Sequence, residues 1–462
     1  HYDYWSDSLR RSLLLDAKAD ILVYGMAELT ITEIARRMEA GTDIREITDL
    51  PGTVVRASPD NLPEGTLRLP DHDTLKMDRR AFAESFQIQT RNADPFSGRP
   101  LFEAYGTGGV LQNPPQRPLS QAEFDYFYGL PFAKEPHPSY AQPVPAVEEV
   151  RFSLVSSRGC FGSCSFCSLT FHQGRIIQSR SRDSLLAEAR ALTEHPGFKG
   201  YIHDVGGPTA NFRHPACRKQ ADQGSCTHRA CLFPEPCPSL DADHGEYTEL
   251  LRSLRRIEGV KKVFIRSGIR FDYLLEAGNE EFLSELCAHH VSGQLKVAPE
   301  HVSARVLHAM GKPKHQVYLD FKKKFEKTNR TLEKKQYLVP YFISSHPGST
   351  LDDAIELALF FKEQRFIPEQ VQDFYPTPGT VSTCMYYTGI DPRTMKKIYV
   401  PRSFEEKRMQ RALLQFNRRE NAGLVRKALL EAGRPELIGR TGSCLVAPSA
   451  GEGRKGSSRR RR

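Results

Sequence analysis

Three of the ten cysteines in this 462-residue chain, Cys160, Cys164 and Cys167, have the type and spacing to do chemistry. They sit in the run Arg158-Gly-Cys-Phe-Gly-Ser-Cys-Ser-Phe-Cys-Ser168. Thiolates so spaced fit three irons of a cubic 4Fe-4S cluster and leave the fourth iron open to a small molecule. A zinc knuckle is the competing reading, but structural zinc takes four protein ligands, and near Cys167 the candidate for a fourth is His172. Cys217, Cys226, Cys231 and Cys237 form a second group, with eight, four and five residues between them. Four thiols in a polar stretch that holds Arg218, Lys219, Arg229 and several prolines are expected to bind a metal. The spacing leaves an auxiliary iron-sulfur cluster and zinc both open.

From Val150 onward strands and helices alternate regularly. Strands are expected at 150–156, 200–205, 262–266, 294–298, 336–344 and 371–375, and helices at 182–194, 246–257, 280–289, 302–310, 316–328 and 351–365. Six β/α repeats with right-handed crossovers predict an α/β fold, a partial (β/α)6 barrel open on one side. The barrel is placed at 149–390, with the four-cysteine insertion at 212–240. Ahead of it, a strand at 21–25, an amphipathic helix at 28–38 and a strand at 52–57 predict the trailing part of a doubly wound α/β domain over residues 1–58. Residues 59–148, Pro-rich and with one helix near 76–89, read as an irregular linker that wraps a neighbour. Two basic amphipathic helices at 403–416 and 421–432 define a helical region, 391–446, before a disordered basic tail at 447–462.

In parallel β/α folds the loops after the strands converge on one mouth. Each expected strand here runs into a polar or glycine-rich phrase. The first enters the cysteine loop. The second ends in Asp204-Val-Gly-Gly-Pro-Thr-Ala-Asn211, where Gly206 and Gly207 would let backbone approach a ligand. The third ends in Arg266-Ser-Gly-Ile-Arg270-Phe-Asp272, with Arg270 a cation for a carboxylate and a hydroxyl or the Asp272 carboxylate for ribose; the fourth ends at Glu300, able to accept hydrogen bonds from ribose hydroxyls. An ion-paired rim is the alternative for Arg270 and Glu300. The fifth and sixth phrases place Ser344, His346 and two Pro-Gly pairs at the same mouth.

Composition limits the rest. With 39% apolar and 26% charged residues the chain has a soluble globular balance, and no run of 18 apolar residues supports a membrane helix. Seven of the ten cysteines fall between Cys160 and Cys237, which argues for metal ligation in a reducing compartment, the cytoplasm by default, over a disulfide scaffold. The net charge is +9, but residues 451–462 hold six basic side chains against Glu452, so more than half of it lies in the tail. Such a tail could make weak contact with RNA. The start at His1, without methionine or leader, predicts an N-terminally truncated chain.

The Cys-x3-Cys-x2-Cys run with Phe166 before its last cysteine resembles the signature of the radical SAM superfamily. The resemblance implies that S-adenosylmethionine (SAM) chelates the open iron, that an external donor of flavodoxin or ferredoxin type supplies an electron, and that SAM is cleaved to a 5'-deoxyadenosyl radical. It also implies SAM contacts at Phe166, Gly206, Gly207, Arg270 and Glu300, although Pro208 stands where the superfamily carries an acidic residue. Gly174-Arg-Ile-Ile-Gln-Ser-Arg-Ser181, Pro340-Tyr-Phe-Ile-Ser344 and Met385-Tyr-Tyr-Thr-Gly389 further resemble YgiQ-type radical SAM proteins, over nearly the whole chain. That family implies an N-terminal domain like those that bind cobalamin, yet the chain carries no Asp-x-His-x-x-Gly motif. Cys384 and Tyr386 are candidates to quench a substrate radical, with packing the alternative for Cys384. The substrate is not named by the resemblance. Rival readings are methyl or methylthio transfer to RNA or a metabolite, and a non-catalytic iron-sulfur or zinc protein that binds RNA.

Overall fold

Short runs of β-branched and apolar residues make strands of Ile21–Val23 (β1) and Thr53–Ala57 (β2), joined through the helix Glu28–Glu39 (α1). The structure, a computed structural model, describes residues 1–449, so the basic run at 451–462 lies outside the described residues. Ile34 of α1 packs with Ile47 and Leu50 against β1. The sheet continues through Leu67–Arg68 (β3), Leu101–Tyr105 (β4) and Gly108–Gln112 (β5), in the order β1-β2-β5-β4-β3.

This sheet departs from expectation in two respects. β1 and β2 pair antiparallel, Leu22 opposite Val54, so the sheet is mixed where a doubly wound unit would be parallel. Residues 59–148, expected as an irregular linker, supply three of its five strands. Those strands have at most five residues, and β4 and β5 turn through Gly106-Thr107 with Gly106 at φ +63°, without the Asn-Gly pair that marks such hairpins. β5 also pairs with β2, and β3 with β4, across long stretches of sequence, and that pairing is what reveals them. The expected helix is present at Arg79–Arg91 (α2), with Ala83 and Phe86 packed on Cys384 of the barrel. Gln121–Tyr128 (α3) opens with a Ser120–Glu123 capping box and lays Phe124 and Tyr128 under the Arg158 guanidinium, 5.0 and 5.2 Å from the ring centres. Both of these helices thus contact the barrel.

Six parallel strand positions follow: Ser153–Val155 (β6), Tyr201–Ile202 (β7) continuing as Asp204–Gly206 (β8), Lys262–Val263 (β9), Gln294–Glu300 (β10), Tyr337–Ser344 (β11) and Gln372–Asp373 (β12). β6 pairs with β8, β7 with β9, and β10 with β11 and then β12, all parallel. Between the two halves, the Ile265 N–H donates to the His290 carbonyl at 3.1 Å. Around the strands lie Arg182–Thr193 (α4), Gly245–Arg255 (α5), Glu280–Glu285 (α6, prolonged by a π turn to His290), Ala304–Met310 (α7), His315–Thr331 (α8) and Leu351–Glu363 (α9). Leu154, Ile202, Val205, Val263, Leu295 and Val297 on the strands meet Leu185, Leu250, Phe321 and Phe325 on the helices in one buried core. Burial of each such side chain is worth roughly 1.5–3 kcal/mol.

Val381–Thr388 (α10) follows β12, and Phe404–Leu414 (α11) and Ala422–Glu431 (α12) close the chain as expected. Met409, Leu413, Val425 and Leu429 bury against Ala354, Ile355 and Ala358 of α9, so these helices extend the barrel wall. Among the described residues no helix is long and apolar enough to cross a membrane.

Candidate active site

The cysteine loop leaves β6 and is clamped at several points. The Cys160 N–H donates to the Gly174 carbonyl at 3.0 Å, and Ser165 N–H to that of Met310 at 2.8 Å; the Ser382 N–H donates back to the Ser165 carbonyl at 2.8 Å. The ends of α7 and α10 thus grip the loop between Cys164 and Cys167. Gly159, at φ +88°, lies so close to Ile176 that a Cβ there would stand 2.3 Å from its carbonyl oxygen.

Charged groups from the third and fourth strand ends converge on this loop. Asp272 accepts two hydrogen bonds from the Arg270 guanidinium, at 2.7 and 2.6 Å, and Asn211 accepts the Arg270 backbone N–H at 2.9 Å. So held, the Arg270 Nη1 reaches Cys164 Sγ at 3.5 Å. It also packs on Gly162, where a Cβ would sit 2.3 Å from Nη1. Glu300, the last residue of β10, is buried at φ +67° with the buried Lys312 Nζ 3.6 Å from its carboxylate. A non-glycine residue held in that conformation costs of order 1–3 kcal/mol and is characteristic of binding sites.

Burial and charge tune these groups. Burial opposes the Arg270 charge, but Asp272 and the neighbouring thiols outweigh it and raise its pKa. Burial raises the Glu300 pKa, against Lys312 and Arg270. Burial also raises Cys160 and pushes Cys167 up to about 11. A metal bound here must displace thiol protons, and cations alongside favour the thiolate form.

The expected residues fall as follows. Cys160, Cys164, Cys167, Arg270 and Glu300 come together. Phe166 packs with Val306, Met310 and Ile343, 6.1 Å from the His346 ring. His346 is buried, hydrogen-bonded to Ser382 at 2.6 Å, and burial lowers its pKa to about 3. Gly206 and Gly207 stand at the second strand end, but their glycine requirement comes from packing: a Cβ would meet Ser267 Oγ at 2.6 Å and the Ser157 carbonyl at 2.4 Å, respectively. Asp272 pairs with Arg270 and is not free for ribose. His172 is exposed, at the end of the turn Leu169–His172, and Cys384 is buried against α2. Lys312 and Gly162 were not anticipated. The signal for Lys312 was the Gly311-Lys312-Pro313 run at the end of α7, a helix stop with a cation that the fold buries.

Among the described residues no three His, Cys, Asp or Glu side chains gather tightly enough to hold a single ion. A cubane asks for less, since each thiolate meets a different iron. The donor set, all thiol with a cation at Cys164, fits a 4Fe-4S cluster. A cavity of ≈ 300 Å³ lies on the outer side of the loop, between the N-terminal sheet domain and Phe171–Ile176; none of the three cysteines lines it.

Residues 154–361 match the family described as Radical SAM superfamily, and residues 1–153 that described as Radical SAM N-terminal. Residues 369–462 match a domain of unknown function, DUF3362. The fold and the cysteine loop are thus those of a radical SAM enzyme, a class that works with a 4Fe-4S cluster and SAM. A UPF0313 protein of Clostridium botulinum (strain ATCC 19397) is 52% identical over 96% of this chain and 70% of its own length. Another, of Clostridium perfringens (strain 13), is 52% identical over 96% of this chain and 68% of its own. The chain belongs to the UPF0313 family of radical SAM proteins. Among solved structures, the cobalamin-dependent radical SAM enzyme OxsB aligns at TM-score 0.48 and 11% identity, over 90% of this chain and 55% of that one. The radical SAM methyltransferase TsrM of Kitasatospora setae aligns at 0.40 and 12%, over 91% and 78%.

Proposed function

We propose that this protein is a YgiQ-type radical SAM enzyme in which Cys160, Cys164 and Cys167 hold a 4Fe-4S cluster with one open iron, and that it removes a hydrogen atom from its substrate. The observation that carries the reading is the Arg270 guanidinium 3.5 Å from Cys164, fixed there by Asp272 and Asn211. A cation so oriented beside a thiol serves a negatively charged centre. When bound, the cluster supplies the electron that cleaves SAM to methionine and a 5'-deoxyadenosyl radical.

The chain's own residues bind and enclose. Arg270 offsets thiolate charge and faces the carboxylate of SAM; Glu300, with Lys312 3.6 Å away, accepts from ribose hydroxyls. The backbone at Gly206 and Gly207 receives the methionine amino group, and Phe166 supplies an apolar wall. Burial of Arg270, Glu300 and Lys312 excludes water from a reactive radical. A cytoplasmic donor of flavodoxin or ferredoxin type delivers the electron.

The test is anaerobic incubation of iron-loaded protein with SAM and a reductant. We expect 5'-deoxyadenosine from the unaltered protein and none from Cys164→Ala. Absence of the product from iron-loaded, unaltered protein, or its persistence in Cys164→Ala, overturns the reading.

A further inference from the structure

The four cysteines of the insertion gather around one place. Cys217, Cys226, Cys231 and Cys237, from across 21 residues, all line a single cavity of ≈ 30 Å³, with Gln220, Arg229 and Leu240 in its walls. None of them forms a disulfide. Among the described residues no three of these thiols gather tightly enough to hold a single ion, so they stand around this space instead of closing on one point. Zinc bound by four thiolates at about 2.3 Å would draw them into contact, whereas a cubane holds each thiolate on its own iron.

The surroundings suit a resident anionic centre. Arg175 Nη1 and Nη2 donate to the carbonyls of Cys226 and Arg229 at 2.7 and 2.9 Å, and place a cation beside the ring. The Cys237 N–H donates to the Cys231 carbonyl at 2.8 Å and folds the two ligands together. Outside, the insertion is pinned to the N-terminal domain: Asp94 accepts the Ser225 N–H at 2.7 Å, and a Cβ on Gly224 would stand 2.3 Å from Asp94 Oδ1. Inside, Cys231, Leu232 and Ala216 share one apolar cluster with Cys160, Phe161 and Phe212. A stretch this polar, with Cys226 and Cys237 only half-buried, has little apolar material of its own to fix four thiols in a ring.

We propose that Cys217, Cys226, Cys231 and Cys237 hold a second iron-sulfur cluster, fully ligated by protein, behind the loop of Cys160, Cys164 and Cys167. With no open iron it binds no substrate. It anchors the insertion to the catalytic loop through Arg175, which grows from that loop.

Iron and sulfide counts on anaerobically purified protein test this apart from the catalytic reading. The unaltered chain should hold about eight irons, and the variant with Cys160, Cys164 and Cys167 all replaced by Ala about four, with matching sulfide. Adding Cys231→Ser and Cys237→Ser to that variant should remove these and the electron paramagnetic resonance signal of the reduced cluster. Circular dichroism confirms that each variant is folded. About four irons in the unaltered protein, no iron in the folded triple variant, or about one zinc there in place of iron overturns the proposal.

Discussion

Arg270 is the residue on which the site turns, because two opposite charges claim it. Asp272 takes the Nε–Nη2 edge of its guanidinium and leaves Nη1 directed at Cys164, so the guanidinium is oriented before anything binds. Lysine cannot reproduce that bidentate geometry. Arg270→Lys should therefore keep its iron but bind SAM about tenfold more weakly, as equilibrium dialysis against labelled SAM will show. Gly162→Ala tests the same point from the other side. Its Cβ would fall 2.3 Å from Nη1, so the guanidinium must swing away from Cys164, and SAM binding should fall comparably with little change in iron. If either variant binds SAM like the unaltered protein, Arg270 belongs to an ion-paired rim.

The elements keep these side chains in place through a few buried contacts. Phe161, inside the cysteine loop, stacks on Phe212 with ring centres 3.8 Å apart, and Tyr273 meets both edge-on. Phe161→Ala should cost about 3–5 kcal/mol, read as a lowered urea midpoint. On the opposite wall, Glu285 joins α6 to α5 by accepting from Arg252 at 3.1 Å and from Arg255. A hydrogen bond with His290, against the cost of burial, and the two arginines hold its carboxyl at about 2, below the ordinary 4.5. The folded value is the lower one, so this stabilisation is complete above about pH 4.5 and drains away as pH falls toward 2. Glu285→Gln should lose about 2 kcal/mol at pH 7 and show a flatter decline across that window, measured by denaturant titration at each pH.

On the scale of the whole molecule, the N-terminal sheet domain, the barrel and the insertion meet around the cysteine loop. Arg158, two residues before Cys160, pairs with Glu28 of α1, and Asp94 pins the insertion. Asp94→Ala should raise proteolytic cleavage within residues 217–237 severalfold while the global urea midpoint barely moves, since only that segment is released. The sequence by itself determined the three-cysteine loop and the six strands with their helices, because ligand spacing and hydrophobic periodicity are local properties. It also marked Arg270 and Glu300, since unusual polar phrases stand out at strand ends. Only the tertiary structure decided that residues 67–112 complete a mixed sheet, because hairpins without strong turn residues are identified by distant partners. It alone turned Asp272 from a ribose ligand into the clamp of Arg270, revealed Lys312 beside Glu300, and showed that Gly206 and Gly207 are small to admit Ser267 and Ser157. Each of these depends on which charges and backbones meet across the barrel, and spacing along one strand carries no record of that.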